Sequence, residues 1–182
     1  MGHKHTKDEI LTGAVETAFE SGLSQLTFGR IAKHLGINDR TVVYYFPTKD
    51  DLLSDVLVAM GSQLQTTLAP AFASTRAADH LELLRAAWPV LAVDESEAVF
   101  ALFFEANGLA VTGREPYATL VRALVDTWIT WAAEFIEGDD VHRRAEAETA
   151  IAVLDGLLLL RMLTGADAAE RAAARLGITV PA

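Results

Sequence analysis

Two short helical patterns on either side of Gly36 constrain the fold of this chain more than any other feature. Apolar residues recur at positions 28, 31, 32 and 35, which is the spacing of one face of an α-helix. Thr27 stands where a helix N-cap is expected, and Gly36 can adopt the left-handed conformation that ends a helix. After the turn, Asn38 can cap a second helix that begins at Asp39. The segment is therefore predicted to fold as a helix-turn-helix.

A longer ordered pattern surrounds this segment. Its members are Thr27, Ile31, Ala32, Gly36, Ile37, Thr41, Tyr44, Phe46, Lys49 and Leu52. In order and spacing they resemble the signature T-xxx-IA-xxx-GV-xxx-T-xx-Y-x-F-xx-K-xx-L of the tetracycline-repressor (TetR) family of transcriptional regulators. The resemblance covers about residues 7–55. It implies a three-helix DNA-binding domain followed by a helical ligand-binding and dimerisation domain.

The resemblance also implies which residues meet DNA. Arg40 and Val43 lie where family members touch bases, and such motifs present the N-terminal part of the second helix to base edges. An arginine can bridge guanine O6 and N7, and a valine can contact a thymine methyl group. Asp39 could accept from cytosine N4 or only favour the helix N-terminus, and the backbone of Gly29 can approach a phosphate. The predicted DNA-binding residues are Thr27, Gly29, Asn38, Asp39, Arg40, Thr41, Val43, Tyr44, Tyr45 and Lys49.

Charge is distributed unevenly along the chain. The net charge is −10, yet residues 1–52 hold six Lys/Arg against seven Asp/Glu, so almost all of the acidity lies beyond them. Residues 27–49 hold four basic residues and one acidic residue. Such a distribution favours specific binding and suppresses sequence-independent binding to DNA. An arm of His3, Lys4, His5 and Lys7 near the DNA is one alternative, a segment without a role is another, and metal binding through His3 and His5 is a third.

Only helical patterns occur in the rest of the chain. Predicted helices span residues 7–21, 49–68, 76–93, 96–109, 116–137, 140–163 and 168–176, with Pro89 as a kink and Asp139 or Asp140, and Asp167, as N-caps. The fold class is therefore all-α, with about nine helices. We expect a helix-turn-helix domain at residues 1–48 and a helical ligand-binding and dimerisation domain at residues 49–182.

Two of these helices, 116–137 and 140–163, are apolar on nearly every side. A helix of this kind has to be covered on more than one face. We expect the two helices of each subunit to form a four-helix homodimer interface, as the resemblance also implies; simple burial within one chain is the alternative. The predicted interface residues are Leu124, Trp128, Val153, Gly156, Leu157 and Leu160.

The many aromatic residues of the C-terminal part predict a pocket for a small organic effector. The predicted ligand-binding residues are Trp88, Phe100, Phe103, Phe104, Glu105, Asn107, Trp128 and Trp131. Ordinary core packing is the alternative for each aromatic residue. A buried carboxylate needs a partner, so Glu105 is expected to pair with Arg85, Arg122 or a polar ligand group. Asp126 is expected to pair with Arg122 at i−4.

Several functions are not expected. The sequence contains no GxSxG, P-loop, HExxH or dinucleotide motif, and His80 and His142 lack obvious partners, so no enzyme and no cofactor are predicted. The chain has no Cys, its first residues lack the apolar core of a signal peptide, and its apolar stretches are too short or too charged to span a membrane. A cytoplasmic protein without a membrane partner or a metal site is expected.

The combined prediction is a regulator of transcription, and a repressor in particular. As a homodimer it would bind a palindromic operator and be released by a small apolar or amphipathic ligand. The alternative is a helix-turn-helix regulator whose C-terminal part binds a protein partner instead of a small molecule.

Overall fold

The computed structural model describes residues 5–73 and 76–178. Over these residues the chain forms nine α-helices and no strand, which confirms the all-α prediction. The helices are α1 (Lys7–Ser21), α2 (Phe28–Leu35), α3 (Asp39–Tyr45), α4 (Lys49–Phe72), α5 (His80–Leu91), α6 (Asp94–Val111), α7 (Tyr117–Ala133), α8 (Asp140–Thr164) and α9 (Ala166–Arg175). A single 3₁₀ turn, Leu23–Gln25, lies between α1 and α2.

The chain divides into two compact units. The first, called the head, comprises Met1–Gln63 and Ala101–Arg122. The second, called the body, comprises Leu64–Phe100 and Ala123–Ala182. These units are defined by packing and differ from the functional boundary expected after residue 48, which stays a prediction.

Helices α1, α2 and α3 form the core of the head. Their inward residues Ile10, Ala14, Ile31 and Val42, together with Phe46 at the C-cap of α3, are at most 1% exposed. Because these residues recur at helical spacing, each helix turns one apolar face to the others and leaves its polar face in water. Burial of these side chains supplies most of the stabilisation of so small a unit.

In the body, α8 packs against both α5 and α9. The α5 residues Leu84, Trp88 and Leu91 are at most 1% exposed. The indole Nε1–H of Trp88 donates to Glu170 Oε1 of α9 at 3.2 Å, so the polar atom of this buried ring is satisfied. Helix α8 itself begins as predicted, with the Asp139 side chain accepting from the backbone of His142.

Pro70 does not end α4, which was expected to stop at residue 68. The helix continues through Pro70 to Phe72. A proline inside a helix costs one backbone hydrogen bond. Here it lies in the last turn, and that turn is stabilised because Leu68 and Phe72 are buried in the body, 2% and 3% exposed.

Helices α5 and α7 are both shorter than predicted, and for one reason. The backbone N–H of Ala77 donates to Phe135 O at 2.9 Å, and the N–H of Glu137 donates to Ala77 O at 2.8 Å. Residues that form this pairing cannot also be helical. Helix α5 therefore begins only at His80, where Asp79 caps it, and α7 ends at Ala133.

The remaining boundaries differ from the predicted ones by at most two residues. Helix α6 extends from Asp94 to Val111, two residues further at each end. Helix α9 begins at Ala166 after Gly165, and no side chain caps it. The expected N-cap role of Asp167 was therefore wrong.

Candidate nucleic-acid interface and effector cavity

The helix-turn-helix is built from local caps. Thr27 accepts from the backbone N–H of Arg30 and begins α2. Gly36 ends that helix with φ 65° and ψ 32°, a left-handed conformation that favours glycine. Asn38 Oδ1 then accepts from Arg40 N at 2.9 Å and begins α3. All three predicted roles are confirmed.

Helix α3 is oriented by its buried residue Val42 and by Phe46, the C-cap that follows it. Val42 is 0% exposed and Phe46 1%, and both are part of the head core. The opposite side of the helix therefore faces outward, with Val43 41% and Tyr44 75% exposed and Arg40 exposed as well. An exposed valine and tyrosine beside an arginine match what contact with base edges requires.

Eight of the ten predicted DNA-binding residues are exposed in the head, and we call them the reading surface. They are Thr27, Gly29, Asn38, Asp39, Arg40, Val43, Tyr44 and Lys49. Thr41 and Tyr45 are half-buried. The Tyr45 hydroxyl donates to His5 O at 2.7 Å, so its hydrogen is already used within the head. Tyr45 is therefore a poorer donor for a phosphate than the sequence indicated.

The candidate N-terminal arm is described only in part. His3 and Lys4 lie outside the described residues. Lys7 belongs to α1, where its Nζ lies 2.6 Å from Asp55 Oδ2 and 5.2 Å from the centre of the Phe46 ring. The hydrogen bond to Asp55 and its charge raise the pKa of Lys7 above the ordinary value. No group of three or more His, Asp or Glu residues that could bind a metal occurs among the residues that the structure describes.

Glu105 of α6 has a partner other than the one expected. Its two carboxylate oxygens accept from the backbone N–H groups of Leu23 and Ser24, each at 2.8 Å, instead of pairing with an arginine. Burial alone raises the pKa of Glu105. Hydrogen bonds from the side chain and backbone of Ser24 and from the backbone of Leu23 outweigh that effect, so the pKa is below its ordinary value.

The body contains an apolar cavity of about 40 Å³, which we call the aromatic cavity. It is lined by Leu68, Phe72, Leu83, Leu84, Ala87, Trp128, Trp131, Ala132, Ala150, Ile151 and Leu154. The Trp131 ring lies 5.3 Å from that of Trp128, 5.5 Å from Phe72 and 5.1 Å from Phe135, measured between ring centres. None of the lining side chains carries a charge.

Only Trp128 and Trp131 of the eight predicted ligand-binding residues line this cavity. Trp88 is fully buried against Glu170, and Phe100 is 4% exposed in the body. The other four predicted residues are half-buried members of the head: Phe103, Phe104, Glu105 and Asn107. The sequence did not indicate Phe72, Ile151 and Leu154 as lining residues, because they have no local signal for a cavity.

A shallower depression of about 300 Å³ lies at the turn between α7 and α8. Its arginines are already paired: Arg143 with Asp140, and Arg144 Nη2 with Asp126 Oδ1 at 2.7 Å. Asp126 was expected to pair with Arg122, and this expectation was wrong because α8 brings Arg144 within reach. His80 also has a partner that the sequence did not indicate, since its Nδ1 lies 2.6 Å from Glu146 Oε2.

One side of α8 is exposed along much of its length. We call it the α8 outer face; its residues are Ala152, Gly156, Leu159 and Leu163. Leu159 is 41% and Leu163 74% exposed, and a Cβ added at Gly156 would meet no atom within 4 Å. Asp155 lies beside this face, half-buried, and burial raises its pKa to about 6.

The predicted dimer residues divide in relation to this face. Gly156 belongs to it, and four more are half-buried: Leu124, Trp128, Val153 and Leu160. Leu157 is 4% exposed in the single chain, so most of its side chain packs inward. The assignment of these residues to a dimer interface stays a prediction.

None of the described helices is long and apolar enough to cross a membrane. No curated protein matches the chain in sequence. Several solved structures share its fold. A transcriptional regulator from Rhodococcus sp. Rha1 has a TM-score of 0.69 at 22% identity, over 89% of this chain and 86% of its own. A TetR transcriptional regulator from Legionella pneumophila has a TM-score of 0.66 at 21% identity, over 98% and 97%.

The multidrug binding protein EbrR, solved with imidazole, has a TM-score of 0.67 at 24% identity, over 98% of this chain and 97% of its own. At such identities these structures establish the fold alone. Residues 10–56, within the head, match the family model of bacterial regulatory proteins, tetR family. This match identifies the helix-turn-helix as a DNA-binding region of the tetR family, in a chain that shares its helical fold with solved regulators of transcription.

Proposed function

We propose that this protein is a repressor that binds a palindromic operator as a homodimer and is released by a small, uncharged apolar molecule held in the body. The observation that carries the proposal is the outward side of α3, where Arg40, Val43 and Tyr44 are exposed beside the buried Val42 and Phe46. Buried neighbours hold the helix rigidly, which is what a recognition element needs.

Base recognition is assigned to Arg40 and Val43. The guanidinium of Arg40 is exposed near the start of α3 and can donate two parallel hydrogen bonds to a guanine. Val43 lies one turn further along the same side and can contact a thymine methyl group. Because these two contacts carry sequence information, they define which operator is chosen.

Backbone contacts are assigned to the remaining exposed groups. Lys49, at the start of α4, supplies an ammonium group, and Thr27 and Tyr44 supply hydroxyl donors. A Cβ added at Gly29 would meet no atom within 4 Å, so the backbone at this position is open to a phosphate. Such contacts fix the register of the head on DNA without selecting a sequence.

The homodimer is assigned to the α8 outer face. Leu159 and Leu163 are exposed apolar side chains on the same face of α8, and the open space at Gly156 lets a second helix approach closely. A homodimer formed by symmetric pairing of this face has two heads, one for each half-site of a palindromic operator. Two half-sites then lie about 34–36 Å apart, or one helical turn.

The effector is assigned to the aromatic cavity. Its lining offers stacking surfaces and no charged partner, so a neutral apolar molecule is favoured over an ion. A cavity of about 40 Å³ is much smaller than the roughly 150 Å³ that holds benzene in an engineered protein core. An effector therefore has to select a more open state of the body, and this requirement couples its binding to conformation.

The first experiment selects operators from random double-stranded DNA with the full chain. The expected result is a palindrome with half-sites about one helical turn apart, containing a guanine at the position that changes when Arg40 is replaced. Its role as a repressor is measured by transcription in vitro from a promoter that contains this sequence. Binding without any sequence preference would contradict the proposal.

The second experiment tests the effector class with naphthalene as the probe. Naphthalene is expected to raise the melting temperature in a dose-dependent way and to release the labelled operator, because it binds one state by mass action. Proflavin, a planar cation, serves as the comparison, and EbrR, which shares the fold, has been solved with it. Stronger stabilisation by the cation than by naphthalene would contradict the assignment of a neutral effector.

A further inference from the structure

We infer that Glu105 is a positioning residue for DNA binding: it fixes the position of the turn that leads into the helix-turn-helix. This inference rests on the proposed function and concerns a residue far from the reading surface in sequence. The hydrogen bonds from Leu23 and Ser24 to Glu105 join positions 82 and 81 residues apart. They are the contacts through which α6 holds the 3₁₀ turn, Leu23–Gln25, inside the head.

The chemistry of this contact is that of a helix N-terminus. The first N–H groups of a helical turn have no partner within the turn, and Gly22, which precedes it, offers no side-chain cap. The two oxygens of Glu105 satisfy two of these donors at once, and hydrogen bonds to a charged acceptor are the strong kind. No other side chain is hydrogen-bonded to these two N–H groups in the described residues.

Gly22 allows the carboxylate to approach. Its φ of +85° lies in the region that side chains rarely adopt, and a Cβ at this position would lie 3.0 Å from Glu105 Oε2. A larger residue here would therefore both strain the backbone and push the carboxylate away. The glycine and the glutamate form one fitted pair.

Tyr117, the first residue of α7, holds the other side of the turn. Its hydroxyl donates to Leu23 O at 3.3 Å, and the residue is 3% exposed. Burial and the charge of Glu105 both raise the pKa of Tyr117, so the phenol stays protonated and remains a donor. The peptide groups of Leu23 are thus held by side chains from α6 and α7.

The turn leads directly to the reading surface. Leu23 and Leu26 are 0% exposed and anchor the turn in the core, and the next residue, Thr27, is the N-cap of α2. Thr27 is itself assigned to the DNA backbone. A displacement of the turn therefore moves the start of α2 and, through the Gly36 turn, the base-reading side of α3. Recognition tolerates errors of only about 0.5 Å.

Glu105 belongs to α6, one continuous helix that spans Asp94–Val111. Its residues up to Phe100 belong to the body and those from Ala101 to the head. Its Glu97 pairs with Arg161 within the body, with Oε1 3.3 Å from Nε. Glu105 is thus the α6 residue whose hydrogen bonds hold the turn that precedes the reading helices.

The test compares Glu105→Gln with the wild-type chain on the selected operator. A glutamine keeps the shape but can accept at only one oxygen, and its NH₂ group faces an N–H donor. We expect the dissociation constant for the operator to rise about tenfold, with unchanged base preference and an unchanged circular dichroism spectrum. Hydrogen exchange at the Leu23 and Ser24 amides is expected to become faster.

Matched variants separate positioning from stability. Glu97→Gln removes a carboxylate from the same helix, but its partner Arg161 keeps its ion pair with Asp94. This control is expected to leave operator affinity within about twofold of the wild type. Tyr117→Phe is expected to weaken affinity in the same direction as Glu105→Gln, but less. Tyr117→Phe provides a second test of the inference if Glu105→Gln unfolds.

The outcomes are distinguishable. Faster amide exchange with unchanged operator affinity would overturn the inference, and so would unchanged exchange in Glu105→Gln. An equal loss of affinity in Glu97→Gln would also overturn it, since any weakened contact of α6 would then suffice. If the wild-type chain selects no DNA sequence, the proposed function fails first and the inference fails with it.

Discussion

The reading surface and the aromatic cavity, our two proposed binding sites, place their side chains in opposite positions. On α3 the working residues are exposed, with Tyr44 at 75% and Val43 at 41%, and their neighbours Val42 and Phe46 hold the helix. In the cavity the working residues are themselves the packing, since Trp131 contacts the rings of Phe72 and Phe135. On α3, the residues assigned to recognition are therefore different from those that stabilise the fold. In the cavity, the same residues are assigned to both roles.

This difference determines how each region can change. An exposed residue of α3 can be replaced with little effect on the free energy of unfolding, so the operator can vary while the fold is kept. A cavity residue can be replaced only at a cost in packing, typically about 2–5 kcal/mol for a large side chain. Under the proposed function, the choice of effector is thus constrained by stability, whereas the choice of operator is constrained by the DNA alone.

The largest expected effect tests whether the reading surface can act without a second subunit. Gly156→Leu fills the open space on the α8 outer face, and a Cβ at this position meets no atom of the same chain within 4 Å. We expect a monomer at micromolar concentration and a loss of operator affinity on the order of 100-fold, because two linked heads bind far more tightly than one. Light scattering and fluorescence anisotropy measure the two quantities.

Gly108→Leu is the matched control for this change. Gly108 is also an exposed helical glycine with no neighbour within 4 Å, but it lies on α6. The control is expected to keep both the dimer and its operator affinity. A dimeric Gly156→Leu protein would refute the assignment of the α8 outer face.

Arg40→Ala sharpens the comparison from the side of the head. Because Arg40 is exposed, its removal is expected to cost about 1–3 kcal/mol of binding to the matched operator and to relax the preference at one base pair. The free energy of unfolding should change by less than about 0.5 kcal/mol. Arg175→Ala, an exposed arginine of α9, is the control. An unchanged base preference in Arg40→Ala would show that another residue reads the sequence.

How far the sequence predicts each region follows from the range of the contacts. Thr27, Gly36 and Asn38 were assigned correctly because a cap acts over two to four residues, so its signal is local. The partner of Glu105 was missed because its hydrogen bonds reach across 82 residues. No pattern within α6 indicates which backbone groups will lie opposite it.

The cavity was poorly predicted for the same reason. Its wall combines residues of α4, α5, α7 and α8, and aromatic content alone does not indicate which rings meet. Phe103 and Phe104 are aromatic, as Trp128 and Trp131 are, but they belong to the head. The predicted helix ends were wrong where a residue forms backbone hydrogen bonds with a distant segment instead of within its helix, as Ala77 does with Phe135 and Glu137.

A pH measurement extends the comparison to the body. Burial raises the pKa of Asp155 to about 6, above the ordinary value of 3.8, so the folded state holds its proton more tightly than the unfolded state. Stability from this group is full below pH 3.8 and is lost as the pH rises through about 6. Asp155→Asn is therefore expected to stabilise the protein by about 1–2 kcal/mol near neutral pH, after allowance for its partial exposure.

Urea unfolding at equal protein concentration tests this effect. The gain from Asp155→Asn is expected to be clear at about pH 8 and to shrink towards about pH 5, where the wild-type carboxyl is already largely protonated. Asp167→Asn, at an exposed position in α9, is the control and should show no such trend. A gain that does not depend on pH would indicate an effect of shape instead of charge.

The smallest effect separates two kinds of contact within the reading surface itself. Lys49→Ala removes one exposed ammonium group assigned to a phosphate, whereas Arg40 is assigned to a base. We expect Lys49→Ala to weaken binding to all sequences alike, by less than about 1 kcal/mol at roughly 0.2 M salt, and to lower the slope of log K against log salt by about one. Arg171→Ala on α9 should leave the slope unchanged. A change of base preference in Lys49→Ala would contradict this assignment. It would show that base recognition extends beyond α3 to Lys49, the first residue of α4.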